Sequence, residues 1–168
     1  VISTANSLVG ATADDGVGAS VTALSNGNYV VSSPGWSKSL ATAAGAITWG
    51  RGDASMATEI TSANSLFGTT ADDHVGGLGA TAMSDGNFVV VSPDWNSAPM
   101  TPVGAITIAS GAFRSSGLLV PGLNSVAGTT VSSGTSMVFA YDPHPARQQL
   151  VVGRPADNIV SLLPLDQM

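Results

Sequence analysis

The sequence predicts an all-β chain built from three similar units, each a four-stranded antiparallel sheet, and three observations lead to that prediction. Ten of the eleven acidic residues are Asp, and Asp, Gly, Ser and Thr are typical of turns and strands rather than helices. The segment Ala5–Gly18 recurs at Ala63–Gly76, and a fixed period of this kind is typical of repeat architectures. The dipeptides Asn26-Gly27 and Asp85-Gly86 each separate two apolar runs, which is a strong signal for a β-hairpin.

The first copy contains four segments with strand character. VTAL (Val21–Leu24) and NYVVSS (Asn28–Ser33) flank the Asn26-Gly27 turn, whose two residues both tolerate a positive φ. GAITWG (Gly45–Gly50) and ATEITS (Ala57–Ser62) supply the other two strands. Together they predict one four-stranded antiparallel sheet per copy.

The second and third copies repeat this order with increasing divergence. SDGNFVVVSP (Ser84–Pro93) and GAIT (Gly104–Thr107) match the first copy closely. LNSVAGTTVSSG (Leu123–Gly134) and QLVVGRP (Gln149–Pro155) identify a third copy, which lacks the Trp, the Asn-Gly turn and the GAIT strand and ends in NIVSLLPL (Asn158–Leu165). Terminal repeats are commonly atypical because they cap the array, so we interpret the third copy as a cap.

The strands of these copies are apolar on both faces. YVV, FVVV and GAITI place apolar residues at consecutive positions, as expected when a sheet packs against neighbours on either side. A repeated sheet of this kind predicts propeller-blade-like units. The alternative is a β-helix or solenoid, which the hairpin turns disfavour because they suit antiparallel strands. We predict repeat 1 at 1–58, repeat 2 at 59–117 and a degenerate C-terminal capping repeat at 118–168.

The order of motifs resembles a known class of repeat. FG (Phe67–Gly68), then ATAMSDGNFVVVSP (Ala80–Pro93), then GAITI (Gly104–Ile108) resembles an FG-GAP repeat of the integrin-α type of β-propeller. ALSNGNYVV (Ala23–Val31), followed by SP, Trp and GAIT, is still more similar to the repeats of unknown function in large bacterial secreted proteins of the filamentous-haemagglutinin kind. The resemblance implies a module of an extracellular bacterial surface protein.

The calcium loop that FG-GAP blades often carry is not expected in this chain. The corresponding turns read SNG and SDG, and a single carboxylate such as Asp85 cannot supply the six to eight oxygen ligands that calcium prefers. We therefore expect no metal site and no cofactor.

Composition excludes several classes of function. The net charge is −6 and only 10% of residues are charged, which argues against nucleic acid as a partner. There are no cysteines, so disulfides, thiolate metal sites and Cys nucleophiles are excluded. No apolar run reaches the length of a membrane span, and we expect no membrane insertion. No signal peptide is recognisable at Val1, so we expect either that it has been removed or that the chain is part of a longer protein.

Two kinds of residue are candidates for ligand binding. Trp36 and Trp95 each follow an SP dipeptide in a predicted loop, where they could stack on sugar rings or instead pack between neighbouring blades. Arg51–Gly52–Asp53 spells a tripeptide that some host integrins recognise, although Gly and Asp are also ordinary turn residues. Host or matrix glycans and receptors are therefore candidate partners.

The pairs Asp14-Asp15 and Asp72-Asp73 recur in the motif TADD. Paired carboxylates can bind a cation or act in acid–base chemistry, but Asp also stabilises turns by accepting backbone N–H bonds. The third copy has Val131–Ser133 at this place, which favours the turn role. The only histidines, His74 and His144, stand in unlike contexts and no catalytic motif is present, so we predict no catalytic residues and no enzymatic activity.

The N-terminus predicts self-association. VIST (Val1, Ile2, Ser3, Thr4) matches EITS (Glu59–Ser62), yet no earlier strands of its own blade precede it. Three blades also leave two sheet faces without a neighbour, and closed propellers use four or more blades. We therefore expect a dimer or a head-to-tail filament. The sequence favours a non-catalytic structural and adhesive repeat module of an extracellular bacterial surface or matrix protein; the alternative is a carbohydrate-binding module.

Overall fold

The computed structural model describes residues 3, 5–97, 102–119, 121–142, 144 and 148–165. Within these ranges the chain forms β-strands and two short 3-10 helices, Ser133–Ser136 and Pro155–Asp157, and no α-helix. The prediction of an all-β chain is confirmed. In chain order the strands are β1 (Leu8–Val9), β2 (Ser20–Ala23), β3 (Tyr29–Ser33), β4 (Ala46–Gly50), β5 (Thr58–Glu59), β6 (Ser65–Phe67), β7 (Ala80–Ala82), β8 (Phe88–Ser92), β9 (Ala105–Ala109), β10 (Gly117–Leu118), β11 (Ser125–Ala127), β12 (Val138–Asp142), β13 (Gln149–Arg154) and β14 (Ile159–Pro164).

The strands form three blade-like antiparallel sheets. Blade 1 has the strand order β2, β3, β4, β6, and blade 2 has the equivalent order β7, β8, β9, β11. Blade 3 contains β12, β13 and β14. The predicted hairpin at Asn26-Gly27 is confirmed, since Ala23 pairs with Tyr29 across it. The short β10 pairs with β6 in parallel at the edge of blade 1.

The predicted fourth strand of each copy is wrong. ATEITS (Ala57–Ser62) does not pair with GAITWG; only Thr58–Glu59 is extended, and this β5 pairs in parallel with β1. The fourth place in blade 1 is taken by SLF (Ser65–Phe67), the first strand of the second copy. All three SLF residues are buried, whereas Thr58 is half-buried and Glu59 is exposed. A charged segment cannot fill a position that is buried on both faces, and SLF can.

Blade 1 therefore takes one strand from the next sequence copy. Blade 2 follows the same rule, because β11 from the third copy pairs with β9. The boundaries of the blades are therefore shifted by one strand relative to the sequence repeats, because the first strand of the second and third copies belongs to the preceding blade.

Apolar side chains fill the spaces between neighbouring blades. Blades 1 and 2 share a buried cluster that includes Val30 and Ile47 from blade 1 and Phe88 and Val90 from blade 2. Blades 2 and 3 share a second cluster formed by Val89, Ile106, Ile108, Val126, Met137, Leu150, Val152, Leu163 and Leu165. A sheet of blade 2 thus contributes alternate residues to two different interfaces, which explains why its strands are apolar on both faces.

The first strand of the chain stands apart from the three blades. β1 pairs with β5 only, and Leu8 and Val17 cover the far face of blade 1 together with Trp36 and Phe67. In the residues that the structure describes, β1 is not paired with blade 3, so the blades do not close into a ring. The described helices include none that is long and apolar enough to cross a membrane.

Candidate functional site

The second Asp of each TADD motif caps a turn. The Asp73 carboxylate is fully buried and accepts the backbone N–H groups of Thr69 and Thr70 at 2.8 and 2.9 Å. Its other oxygen accepts the backbone N–H and the side-chain amide of Asn96, at 2.9 and 2.8 Å. In all four hydrogen bonds the carboxylate of Asp73 is the acceptor, which supports the interpretation that this Asp stabilises a turn.

Asp15 has the same place in the first copy. It accepts the N–H groups of Ala11, Thr12 and Ser37 and the Thr12 hydroxyl. Burial opposes ionisation of this carboxyl, but the hydrogen bonds from Thr12, Ser37 and Ala11 outweigh it and hold the pKa of Asp15 below its ordinary value. The carboxylate is therefore charged at neutral pH and fixed by the turn.

In the third copy a different residue supplies this carboxylate. Asp157, from the RPAD segment, accepts the Thr129 N–H at 2.9 Å and the Thr130 hydroxyl at 2.6 Å. Arg154 donates to Asp157 at 3.1 Å and to the Ala127 carbonyl at 2.9 Å. Burial again works against ionisation, but these donors lower the pKa of Asp157. The carboxylate that the TADD position has lost is restored from elsewhere in the chain.

Both candidate tryptophans pack against apolar clusters. Trp36 is only 4% exposed and lies edge-to-face with Phe67, with ring centroids 6.3 Å apart. Lys38 lies over the other ring of this pair, 4.0 Å from the Phe67 centroid. Trp95 is partly buried against the cluster between blades 1 and 2. Trp95 thus lies where two blades meet, whereas Trp36 packs on the far face of blade 1 beside β1. Sugar binding by either residue stays a prediction.

The tripeptide Arg51–Gly52–Asp53 lies in an exposed turn between blade 1 and β5. The Arg51 and Asp53 side chains are 61% and 67% exposed and bind each other at 2.6 Å. Those hydrogen bonds hold the pKa of Asp53 below its ordinary value. Adhesion requires the two charged groups to be held apart, whereas here they form a pair; recognition by an integrin stays a prediction.

A packing requirement accounts for the glycine of the tripeptide. A Cβ atom at Gly52 would lie 1.7 Å from the carbonyl oxygen of Gly27, and one at Gly111 would lie 1.9 Å from that of Gly86. Gly111 is the equivalent residue of the second copy, where Ser110 and Ala112 replace the charged neighbours. Glycine recurs because the backbone of the neighbouring hairpin touches it, and the charged residues do not recur.

The remaining titratable residues form no metal centre in the described part of the chain. No group of three or more His, Asp or Glu side chains lies close enough to hold an ion there. His74 lies 3.5 Å from Asp94 at a partly exposed position, and the backbone N–H of His144 donates to Asp142. Asp85, in the SDG turn, is occupied by the backbone and side chain of Asn87 and by the Tyr141 hydroxyl.

The most unusual surface of the molecule is the outer side of blade 3, here called the open face. Cross-strand pairing brings neighbouring rows of residues onto it, among them the apolar residues Val138, Ala140, Val151, Val160, Leu162 and Pro164. Val138, Val160 and Leu162 are 62%, 68% and 62% exposed. An apolar sheet face of this kind usually marks an interaction site.

The equivalent faces of the other two blades are covered. Val151 corresponds to Val89 and Val30 through the matching segments QLVVGRP, FVVVSP and YVVSSP. Val30 is 1% exposed and Val89 is 0% exposed, because the following blade packs over each of them. The open face therefore corresponds to the faces that the following blade covers in blades 1 and 2.

The sequence missed this surface. Its strand β14 lies in NIVSLLPL, which we interpreted as the ending of a copy that had lost its GAIT strand. The signal was present in the alternation of Val160, Ser161 and Leu162, which places two apolar side chains on one face. Of the predicted self-association strand, Val1, Ile2 and Thr4 lie outside the described residues. The backbone carbonyl of Ser3 accepts the N–H groups of Asn6 and Ser7.

The chain was compared with known families and proteins. It matches the model of a repeat of unknown function, DUF5650, over residues 1–19, 23–77 and 82–137. No curated protein and no solved structure matches it. The more specific resemblances to FG-GAP propellers and to filamentous-haemagglutinin-like proteins stay predictions. Because the three matched stretches together cover more than half of the 168 residues, the chain belongs to this family of repeats of unknown function.

Proposed function

We propose that the chain is a non-catalytic structural module of an extracellular bacterial surface or matrix protein, and that it acts by self-association of its blades. The observation that carries this proposal is the open face of blade 3. Its three most prominent side chains are more than half exposed, while the equivalent positions in blades 1 and 2 are covered by the next blade.

Physical chemistry supports association through this face. Burying apolar surface contributes roughly 25 cal/mol per Å², and the face presents a continuous row of aliphatic side chains to do so. Charged groups are scarce on it, so little desolvation opposes contact; Asp142 lies at one corner of the sheet. The extracellular location rests on the composition, which is poor in Lys and rich in Ser, Thr, Gly and Ala.

A charge placed on the open face tests the proposal. Leu162→Lys would force an ammonium group into any contact made there, while its present exposure of 62% makes the substitution tolerable in the single chain. Leu40→Lys is the matched control, because Leu40 is 97% exposed in the loop between β3 and β4, outside the open face.

Sedimentation velocity over a range of concentrations provides the measurement. We expect the wild type and Leu40→Lys to associate as concentration rises, and Leu162→Lys to require at least about tenfold more protein, equivalent to about 1.4 kcal/mol. A wild type that stays monomeric up to about 1 mM, where even an association free energy of about −4 kcal/mol is visible, would refute self-association. Equal behaviour of all three proteins would exclude the open face.

A further inference from the structure

Two strand pairs inside the chain show how consecutive units join. β6 pairs antiparallel with β4, with Ile47 opposite Leu66 and Thr48 opposite Ser65. β11 pairs with β9 in the same register, with Ile106 opposite Val126 and Thr107 opposite Ser125. In both cases the strand that begins one sequence copy completes the blade before it.

A buried pair of hydroxyl groups accompanies each junction. Thr48 Oγ1 lies 2.7 Å from Ser65 Oγ, and Thr107 Oγ1 lies 2.8 Å from Ser125 Oγ. Each Ser hydroxyl also donates to the Oδ1 atom of the preceding Asn. Because the Ser hydroxyl hydrogen is already donated to Asn, the Thr hydroxyl donates its own hydrogen to the Ser oxygen.

β14 has the place of β4 and β9 but has no fourth strand beside it in the described residues. Gly153 pairs with Val160 and Val152 pairs with Ser161, as Ser32 pairs with Ile47 and Val31 with Thr48 in blade 1. Ser161 therefore corresponds to the Thr of GAIT, and Val160 to its Ile.

The residue that precedes the strand supports this correspondence. Asn158 has φ = 57°, and the equivalent Gly45 and Gly104 have φ = 77° and 76°. All three lie in the left-handed region, which Asn reaches more readily than most residues with a side chain.

The free edge of β14 presents unpaired backbone groups. The Leu165 N–H donates to the Gln148 carbonyl, which fixes which residues of β14 bond to β13. Because successive residues of a strand direct their N–H and C=O groups to opposite edges, Val160 and Leu162 direct theirs away from β13. Val160 is 68% exposed, whereas its equivalents Ile47 and Ile106 are 1% and 0% exposed.

β1 is the matching strand, and among the described residues it pairs only with β5. Asn6-Ser7-Leu8-Val9 corresponds to the residues of β6 and β11 and their preceding Asn, and the Ser7 hydroxyl donates to Asn6 Oδ1 as its equivalents do. Thr58 and Ile60 donate to the carbonyls of Ser7 and Val9, so Leu8 directs its N–H and C=O to the opposite, open edge. Ser7, Leu8 and Val9 are half-buried, whereas Ser65, Leu66 and Phe67 are buried.

We infer that β1 of one copy of the chain completes blade 3 of a second copy, as its fourth antiparallel strand. The internal junctions specify the register: Leu8 opposite Val160, Val9 opposite Ile159, and Ser7 opposite Ser161, with the two hydroxyl groups paired. This inference rests on the proposed self-association and names its partner and geometry. The contact is head-to-tail, so it produces a ring if the rotation closes and a filament if it does not.

Cysteine pairs test the register, because the natural chain has no cysteine. Ser7 and Ser161 would be directly opposite at a pair without backbone hydrogen bonds, where Cα atoms are about 4.5 Å apart and a disulfide fits. We expect a mixture of Ser7→Cys and Ser161→Cys chains to give a covalent dimer on mild oxidation. Neither variant alone should do so, and neither should a control mixture of Ser7→Cys with the exposed Ser84→Cys.

Proline variants test the two edges separately. Leu8→Pro removes the N–H of β1 that faces the partner, and Val160→Pro removes the outward N–H of β14 while sparing its bonds to β13. We expect each variant alone to be monomeric. An equal mixture should form dimers that do not grow further, because the intact β1 of the Val160→Pro chain can pair only with the intact β14 of the Leu8→Pro chain. Far-ultraviolet circular dichroism confirms that each variant is folded.

The outcomes separate this inference from the proposed function. If the wild type associates but the Ser7→Cys and Ser161→Cys mixture gives no more covalent dimer than the control, the strand pairing is wrong and self-association stands. If the wild type does not associate at any concentration, both are wrong. Covalent dimers in the mixture alone support the register whether or not a proline variant folds.

Discussion

The buried carboxylate of Asp73 offers the sharpest test of how the repeats are held together. Asp73→Ala removes four hydrogen bonds, two from the backbone of Thr69 and Thr70 and two from Asn96. A hydrogen bond makes a net contribution of about 0.5–1.5 kcal/mol, and three of these four donors are backbone N–H groups, which cannot reorient when the carboxylate is removed. The loss of all four bonds therefore predicts that the free energy of unfolding falls by roughly 2–6 kcal/mol.

Urea denaturation followed by circular dichroism measures this loss, with the midpoint and slope fitted separately. Asp72→Asn is the matched control, because Asp72 is the exposed neighbour in the same motif and has φ = 61°, which Asn tolerates. We expect this control to change stability by less than about 0.5 kcal/mol.

A loss below about 1 kcal/mol in Asp73→Ala would refute the turn interpretation, since four lost hydrogen bonds amount to more than that. Repeating the melt with excess chelator separates this role from metal binding. A metal bound only to the folded state would raise the melting temperature, so an unchanged temperature is expected and a fall of several degrees would assign an ion to the TADD turns.

Two further predictions concern the core and the pH dependence. Val89→Asp should unfold the chain or destabilise it by several kcal/mol, because Val89 is fully buried between blades 2 and 3. Val21→Asp is the control and should melt like the wild type, because Val21 is 63% exposed. Equal melting of the two variants would refute the packing described for β8. Burial and the hydrogen bond to Asp85 raise the pKa of Tyr141 to about 12, so its contribution to stability is complete below its unfolded pKa of about 10 and is lost as the pH rises from about 10 to about 12. Thermal melts across that range should show this loss in the wild type and a smaller one in Tyr141→Phe; identical profiles would contradict the role of the pair.

Local chemistry determined much of the fold. The dipeptide Asn26-Gly27 specifies a tight hairpin whatever surrounds it, and the apolar runs beside it have the period and composition of strands. The recurrence of these signals was enough to predict three all-β units, and the structure confirms them.

The sequence could not predict which segment forms the fourth strand of blades 1 and 2. ATEITS and ANSLF both follow GAITWG in the chain, and strand propensity does not distinguish them because pairing depends on which segment can be buried on both faces. The buried hydroxyl pair of Thr48 and Ser65 forms only once that choice is made. Tertiary packing therefore decided that blades 1 and 2 take their last strand from the next copy.

The divergent third copy also separates what the sequence predicts from what tertiary packing decides. By sequence it has lost both the GAIT strand and the TADD carboxylate, yet β14 occupies the place of the strand and Asp157 caps the turn. A fold constrains positions in space, and any residue that supplies the right group at that position satisfies it. The sequence by itself determined that the chain is a β-repeat; the tertiary structure decided which edges and faces are covered, because burial and strand pairing are properties of segments far apart in the chain.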